Sequence, residues 1–314
     1  MGQSGDIRDV RDIQKSDIGK KVTIRLKDGD GYRDVVGHLT ATNAVKNRHG
    51  QIVEFDPAKI HIWREIIATP RTATSGAPLS MRIYELERAL NKTWRAKEEV
   101  EIGGWIFRAD IGITKRANSA LVLSGEDQID QAIGWYRERD LNPTIHLIPT
   151  LHQELDERLQ KRGFSESMDA LVMVKDHQGS EVDFDYEVSD LPSKEWLATQ
   201  GDNEISQLLQ RNNAKYLSLK SADKIVAVGR VANADGWAVF TRIWVAPDSR
   251  GQGLGRKILS ALEAEADSSK LALQVASTNE VAINLYESFG YQSHHLYRFR
   301  AIPQRIDLLQ AECC

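Results

Sequence analysis

The stretch Arg250-Gly251-Gln252-Gly253-Leu254-Gly255 stands between an apolar run, Phe240-Thr241-Arg242-Ile243-Trp244-Val245-Ala246, and an amphipathic helical pattern over residues 253–267. Strand, glycine loop, helix is the order in which a chain offers a row of free backbone N–H groups to an anion. The first helical turn carries unpaired donors and a partial positive charge. Glycine lets the backbone approach closely and take a positive φ at little cost. Arg250 precedes the glycines, and Arg256 and Lys257 follow them. Two other phosphate loops do not fit. A dinucleotide fingerprint needs Gly-x-Gly-x-x-Gly, and a P-loop ends in Gly-Lys-Ser/Thr; here the spacing is Gly-x-Gly-x-Gly and the end is Gly255-Arg256-Lys257. A tight strand-to-helix turn would account for one or two glycines, not for three at alternate positions flanked by cations.

Outward from the loop, the spacing predicts strands over 215–219, 224–231 and 237–245 before it, with helices over 193–199 and 203–212. After it come a strand over 271–275, a helix over 280–289 and a last strand over 296–300. An earlier set resembles this one in pattern: a helix over 80–94, strands over 100–108 and 117–123, a helix over 127–140, a strand over 143–148, a helix over 151–162 and a strand over 170–174. Gly163-Phe164 ends a helix as Gly290-Tyr291 does, and the offset, 291 − 164 = 127, carries 144–148 onto 271–275. The first copy has Ser124-Gly125-Glu126-Asp127 where the second has its glycine loop. Acidic residues cap a helix start well but repel a pyrophosphate, so the first copy is expected to scaffold and to shape an acceptor pocket. Its Trp105, Arg108, Arg116 and Asn118 are candidates to face that pocket. An Arg-Ala-Asn-Ser run suits a carboxylate, and equally suits ordinary turn and surface residues.

The loop, with Val245-Ala246-Pro247-Asp248-Ser249 before it, resembles the acetyl-coenzyme A loop of the GCN5-related N-acetyltransferase superfamily. Asn279-Glu-Val-Ala-Ile-Asn-Leu-Tyr286-Glu-Ser-Phe-Gly290-Tyr291 is similar to that family's second signature. The doubled pattern resembles bacterial tandem acetyltransferases with a degenerate first half, some of which carry a small N-terminal barrel. The resemblance implies an α+β (α/β) fold with a mixed central sheet. It implies a loop, Arg250, Gly251, Gln252, Gly253, Leu254 and Gly255, that cradles a pyrophosphate, with charge added by Arg250 and Arg256. Ile243, Trp244 and Val245 would bond the pantetheine arm through main chain, Asn279 would hold it or place the last helix, and Tyr286 would be the general acid toward the leaving thiolate. Family members often place a Glu on the strand before the loop, and none is present here. Either a water relay to Asp235 or Glu204 serves, or the amine arrives deprotonated. His294 and His295 read as surface residues, and no base is assigned. The function implied is direct transfer of an acetyl group from acetyl-CoA to a primary amine, on a protein or a small molecule, in a ternary complex. The alternative is a non-catalytic acyl-CoA sensor or adaptor.

Toward the N-terminus, residues 1–16 read as a mobile terminus. Short strands over 21–26, 34–42, 51–55 and 59–66 between turn clusters imply a small all-β barrel over 17–68, resembling the Src-homology-three type. Residues 69–79, rich in Thr, Ser, Pro and Gly, read as a linker. The two halves are expected over 80–180 and 181–314, the second catalytic. The 314 residues suit two or three domains, and 41% apolar with 27% charged residues is a globular balance. A net charge of −4 gives no reason to expect nucleic acid. No apolar run approaches a membrane span, and the charged start shows no secretory signal. The two cysteines, Cys313 and Cys314, are adjacent at the end, which suits a reducing cytoplasm and leaves no nucleophile for a covalent acyl-enzyme. No metal-ligand spacing occurs. A macromolecular partner for the barrel and a homodimer stay open.

Overall fold

Val22, Ile24 and Leu26 alternate with polar and charged residues along β1 (Lys21–Asp28), so one face of that strand is buried and the other wet. In the computed structural model, residues 12–29, 31–47, 50–65 and 77–303 are described. The chain divides into two units, Met1–Arg71 and Thr72–Cys314. In the first, β1 is joined by β2 (Gly31–Ala41), β3 (Ala44–Lys46), β4 (Ile52–Glu54) and β5 (Ile60–Glu65) in an antiparallel sheet of order β4-β3-β2-β1-β5. Val22, Ile24, Leu26, Val35, Leu39, Val45 and Phe55 form its core, with Trp63 packed against them. These strands are consistent with the expected small barrel. The mobile terminus expected over 1–16 is corrected at its end: Ile13 lies in this core, and Lys15–Asp17 is a 3-10 turn whose Asp17 is buried beside Lys20. Residues 1–11, most of the expected linker (66–76) and the tail with Cys313 and Cys314 lie outside the described residues.

The second unit begins with α1 (Leu79–Lys92), β6 (Glu98–Ile102), β7 (Trp105–Ala109), β8 (Ala120–Val122), α2 (Ile129–Arg137), β9 (Thr144–Leu147), α3 (Gln153–Lys161) and β10 (Ser165–Asp176). The single strand expected over 100–108 is two, because Gly103 and Gly104, both at positive φ, turn β6 back on β7. The chain continues through β11 (Glu187–Ser189), α4 (Lys194–Ala198), α5 (Ser206–Gln210), β12 (Ala214–Ser221), β13 (Lys224–Ala234) and β14 (Trp237–Val245). It ends with α6 (Leu254–Ala264), β15 (Lys270–Ala276), α7 (Glu280–Ser288) and β16 (Gln292–Ala301). The repeat is visible in the bounds: 280 − 153 and 288 − 161 both give the offset of 127 between α3 and α7.

All these strands form one mixed sheet of order β11-β12-β13-β14-β15-β10-β16-β9-β8-β7-β6. The order shows a reciprocal exchange. β10, the last strand of the first copy, pairs with β15 of the second, while β16, the last strand of the second, pairs with β9 of the first. β10 and β16 pair with each other at the centre. Arg298 fastens them with two bonds of 2.8 Å to Asp169. Each half therefore completes the other's sheet, across the boundary expected near residue 180.

Alternation along β15 sorts the two faces. Leu271, Leu273 and Val275 pack with α6 and α7, while Ala272 joins Ile83, Leu86 and Leu90 of α1 on the other face. Thus α1, from the first copy, covers the middle of the joint sheet. Below it Glu87 is almost fully buried and accepts a hydrogen bond from His295 Nε2 at 2.8 Å, while Arg108 reaches His146 Nδ1 at 3.1 Å. Burial pushes the Glu87 carboxyl up, but His146, the hydrogen bond and charge of His295, and Arg108 outweigh it and hold the carboxyl at about 2. Burial pushes His146 down to about 3, so that imidazole is neutral at pH 7.

Two outcomes follow from this architecture. A chain beginning at residue 181 lacks β10 and exposes an open edge on β15, so it should aggregate, whereas one beginning at residue 77 should be monodisperse in size-exclusion chromatography. Glu87 and His146 both titrate lower folded than their ordinary values of 4.5 and 6.5. The unfolded chain then binds more protons, and stability should fall as pH drops from about 6.5 toward about 2; a melting temperature constant from pH 7 to about pH 4 would contradict the burial of this pair.

Candidate active site

The parallel pairing of β14 with β15 covers only Ala238↔Leu271, Val239↔Ala272 and Phe240↔Leu273. Two residues further on, Arg242 has φ 58°, a left-handed conformation that a side chain with Cβ rarely adopts. The register of β14 against β13 shifts at the same place, between Val228 and Arg230. The bend is held from the side: Gln200 Nε2 donates to the Arg242 carbonyl at 3.0 Å, and the Arg242 guanidinium pairs with buried Asp202. Beyond it, Trp244 and Val245 pair with β13 and not with β15. A fork opens between two parallel strands, and the β15-facing backbone groups of Ile243–Val245 are left for another partner. The side chain of Trp244 packs in a cluster with Trp94, Ala117 and Trp196, which joins it to the first copy.

The chain leaves the fork through the turn Pro247–Ser249 and enters the glycine loop. Gly251 has φ 76° and Gly253 φ 80°, the latter as the N-cap of α6. A Cβ on Gly255 would lie 3.2 Å from Leu285 of α7, so that glycine brings the two helices together. Among the described residues, the N–H groups of Gly251, Gln252, Gly253, Leu254 and Gly255 donate to no backbone carbonyl, since the ladder starts with Arg256 and Lys257 donating to Gly253. This is a run of free donors at a helix start. Arg250 stays beside the loop, its Nε 3.4 Å from the Val245 carbonyl. Gln252 reaches the Asp248 carbonyl at 3.4 Å. Arg256 is engaged elsewhere: it donates to Ser288 Oγ at 3.0 Å and lies over the Phe289 ring.

On α7, Asn279 is the N-cap, accepting from the Ala282 N–H at 3.2 Å. Tyr286, about two turns later, is buried against Tyr291 in the cluster that includes Ile243, Val245 and Leu254. Burial pushes its phenol up to about 12, and among the described residues its hydroxyl makes no hydrogen bond. It is a neutral donor at any physiological pH.

The first-copy candidates separate. Trp105 is 1% exposed in the core with Phe107 and Leu147. Arg108 is buried, donating to Ser119 and Asn91, and Asn118 braces its own loop by accepting from the Asp110 and Gly112 N–H groups. These three serve packing. Arg116 differs: it stacks on Trp94, 5.0 Å from the ring centre, and its Nη1 is buried with no hydrogen-bond partner. The loop at Ser124-Gly125-Glu126-Asp127 opens on a cleft of about 730 Å³ lined also by Glu154 and Arg158. There Asp127 itself accepts the Ile129 N–H at 2.8 Å, so the donor end of α2 is filled by a carboxylate.

The alternatives for a base are corrected by position. Asp235 sits in the β13–β14 turn, at the end of β14 remote from the loop, and pairs with Lys92 at 2.8 Å; Glu204 is exposed on the 3-10 turn Asp202–Ile205. His294 and His295 are not surface residues. His295 is buried against Glu87, and the two rings meet at 2.8 Å between Nδ1 atoms. Burial, His295 and Arg82 push His294 down to about 4. Asp202 and Gln274 escaped the sequence reading. A glutamine interrupting an apolar strand was the visible signal for the second; nothing marked Asp202. Among the described residues, no cluster of His, Cys, Asp or Glu suits a metal ion, and no helix is long and apolar enough to cross a membrane.

Residues 80–300 match a family model described as "Probable histone acetyltransferase Rv0428c C-terminal". The probable histone acetyltransferase Rv0428c of Mycobacterium tuberculosis is 27% identical over 304 residues, covering 90% of this chain and 94% of that one. The uncharacterized N-acetyltransferase YobR of Bacillus subtilis is 27% identical over 246 residues, 69% of this chain and 98% of its own. Among solved structures, a GCN5-related N-acetyltransferase from Kribbella flavida shares the fold with a TM-score of 0.55 at 15% identity, over 71% of this chain and 95% of that one. The chain belongs to the Rv0428c C-terminal family and is an N-acetyltransferase of the GCN5-related type.

Proposed function

We propose that the second copy binds acetyl-CoA at the fork and the glycine loop and transfers its acetyl group directly to an amine in a ternary complex. The observation that carries this reading is the coincidence of the fork with the run of free N–H donors: one end suits the amides of a pantetheine arm, the other a pyrophosphate. The thioester supplies the acyl group and a thiolate leaving group. Gly251 to Gly255 hold the phosphates with Arg250 as the cation beside them, while Arg256, tied to Ser288, braces α6 on α7. Backbone groups of Ile243, Trp244 and Val245 orient the arm, and Asn279 fixes the start of α7. As the amine nitrogen bonds the acyl carbon and the C–S bond breaks, Tyr286 donates a hydrogen bond, and then a proton, to the sulfur; the proton lost from the nitrogen passes to solvent, from which the phenolate is reprotonated. The acceptor enters from the face that α1 covers, opposite α6 and α7, so that nucleophile and thioester meet in the fork. The gain in rate comes from orientation and from stabilising the thiolate. The first copy, with a carboxylate at the start of α2, takes no cofactor in this manner, and one acetyl-CoA binds per chain.

Gly253→Glu places a negative side chain at a positive φ in the loop and should weaken acetyl-CoA binding about tenfold or more by calorimetry. Tyr286→Phe should lower kcat by about 10²-fold while the dissociation constant for acetyl-CoA stays within about threefold; an unchanged rate removes Tyr286 from the chemistry. Because the phenol is held at about 12, kcat should show no falling limb due to Tyr286 up to about pH 10. A protein that binds acetyl-CoA but releases no free thiol with any amine would be a sensor instead.

A further inference from the structure

Buried polar atoms without partners are rare and call for an explanation. Around the fork several occur together. Gln274 is the first β15 residue past the last pair with β14, and both its amide atoms are buried and unpartnered. Arg242, at the bend of β14, uses its Nη2 on Asp202 and leaves its Nε buried and unpartnered. Arg116, from the first copy, presents a buried and unpartnered Nη1, and Tyr297, Glu87 and Arg242 lie within electrostatic reach of its charge. Besides Gln274 Oε1, one further acceptor is left over beside Arg242: Asp202 Oδ2, buried and without a donor.

These groups lie on the acceptor side. Asp202 belongs to the 3-10 turn whose Ile205 packs in the cluster with Trp94 and Trp244, and Arg116 stacks on that Trp94. Gln274 alternates with Leu273 and so shares the face of Ala272, which α1 covers. Guanidinium N–H groups and an amide N–H read a planar carboxylate, and a carboxylate oxygen reads an ammonium or amine. Arg242 already faces the Asp202 carboxylate, whereas the Arg116 guanidinium is bonded to no anion; burying it so is costly, and a ligand that brings a carboxylate is favoured.

Resting on the reading above, we propose that the acceptor is a free amino acid. Arg116, Arg242 and Gln274 take its carboxylate, and Asp202 Oδ2 takes an N–H of its amine and turns the nitrogen into the fork. This explains why the first copy is retained next to a site it does not fill: it supplies Arg116. It also distinguishes this acceptor from the lysine of a basic protein tail, which brings a second cation to a cationic site.

The test uses the full chain, the proteinogenic L-amino acids, their carboxamides, the matched decarboxylated amines, phosphoethanolamine and a lysine-rich basic peptide. Thiol release should favour the best amino acid over its carboxamide and decarboxylated amine by about 10²-fold in kcat/KM. Arg116→Met should raise KM for that amino acid tenfold or more, leave the decarboxylated amine within twofold, and leave acetyl-CoA binding unchanged; Arg116→Lys should restore part of the loss. Calorimetry with the same amino acids and no acetyl-CoA should show binding that Arg116→Met abolishes. Preference for the peptide, phosphoethanolamine or a decarboxylated amine overturns the proposal, as does an equal effect of Arg116→Met on amines with and without a carboxylate, or the absence of amino-acid binding. Failure of acetyl-CoA to bind, with amino-acid binding intact, instead overturns the assignment of the glycine loop.

Discussion

The rest of the site depends on one constraint in β14: the strand cannot stay paired with β15 beyond Phe240, because Arg242 is held in a left-handed conformation. A parallel pair normally uses its backbone groups on each other. Forcing one strand away costs those bonds and adds backbone strain, and the surroundings must over-determine the bend for it to persist. Here Gln200 holds the Arg242 carbonyl and Asp202 its guanidinium. The released backbone groups of Ile243 to Val245 immediately precede the turn that leads into the glycine loop with its free N–H groups. The strain and the binding capacity are two aspects of one local geometry.

The exchange of last strands makes the two copies interdependent. β10 stands where the second copy's final strand would lie, and β16 stands in the first copy's sheet. α1 spans the joint with apolar residues at Ile83, Leu86 and Leu90 and with Glu87 bound to His295 across the sheet. A degenerate copy is thus required by packing alone, since removing it would expose the edges of β15 and β16 and strip one face of the joint sheet. That same placement brings Arg116, from a loop with no glycine cradle of its own, within electrostatic reach of Arg242.

Much of this was legible in local sequence. The glycine loop, the helix caps at Gly253 and Asn279, the repeat offset and the helix carrying Tyr286 all follow from short-range patterns, and these depend on backbone preferences that act within a few residues. The misreadings share a cause. Trp105 and Arg108 have the residue types of a binding site, but their partners, such as Asn91 for Arg108, come from another element, while Asn118 is spent on its own loop. His295 sits in a polar run and reads as exposed, yet it is buried against Glu87, over two hundred residues earlier. Asp235 lies away from the bend of β14 and Glu204 is exposed, while the carboxylate that pairs with Arg242 there is Asp202.

By itself, then, the sequence determined the elements, their repetition and the glycine loop at a helix start, because glycine conformations, caps and apolar periodicity are local. Only the tertiary structure decided which strands are exchanged, where β14 parts from β15, and which of several arginines is left buried without a partner. Those are outcomes of long-range pairing and desolvation. A guanidinium is structural or available for a ligand according to what the fold packs against it, and no residue's immediate neighbours in the chain record that.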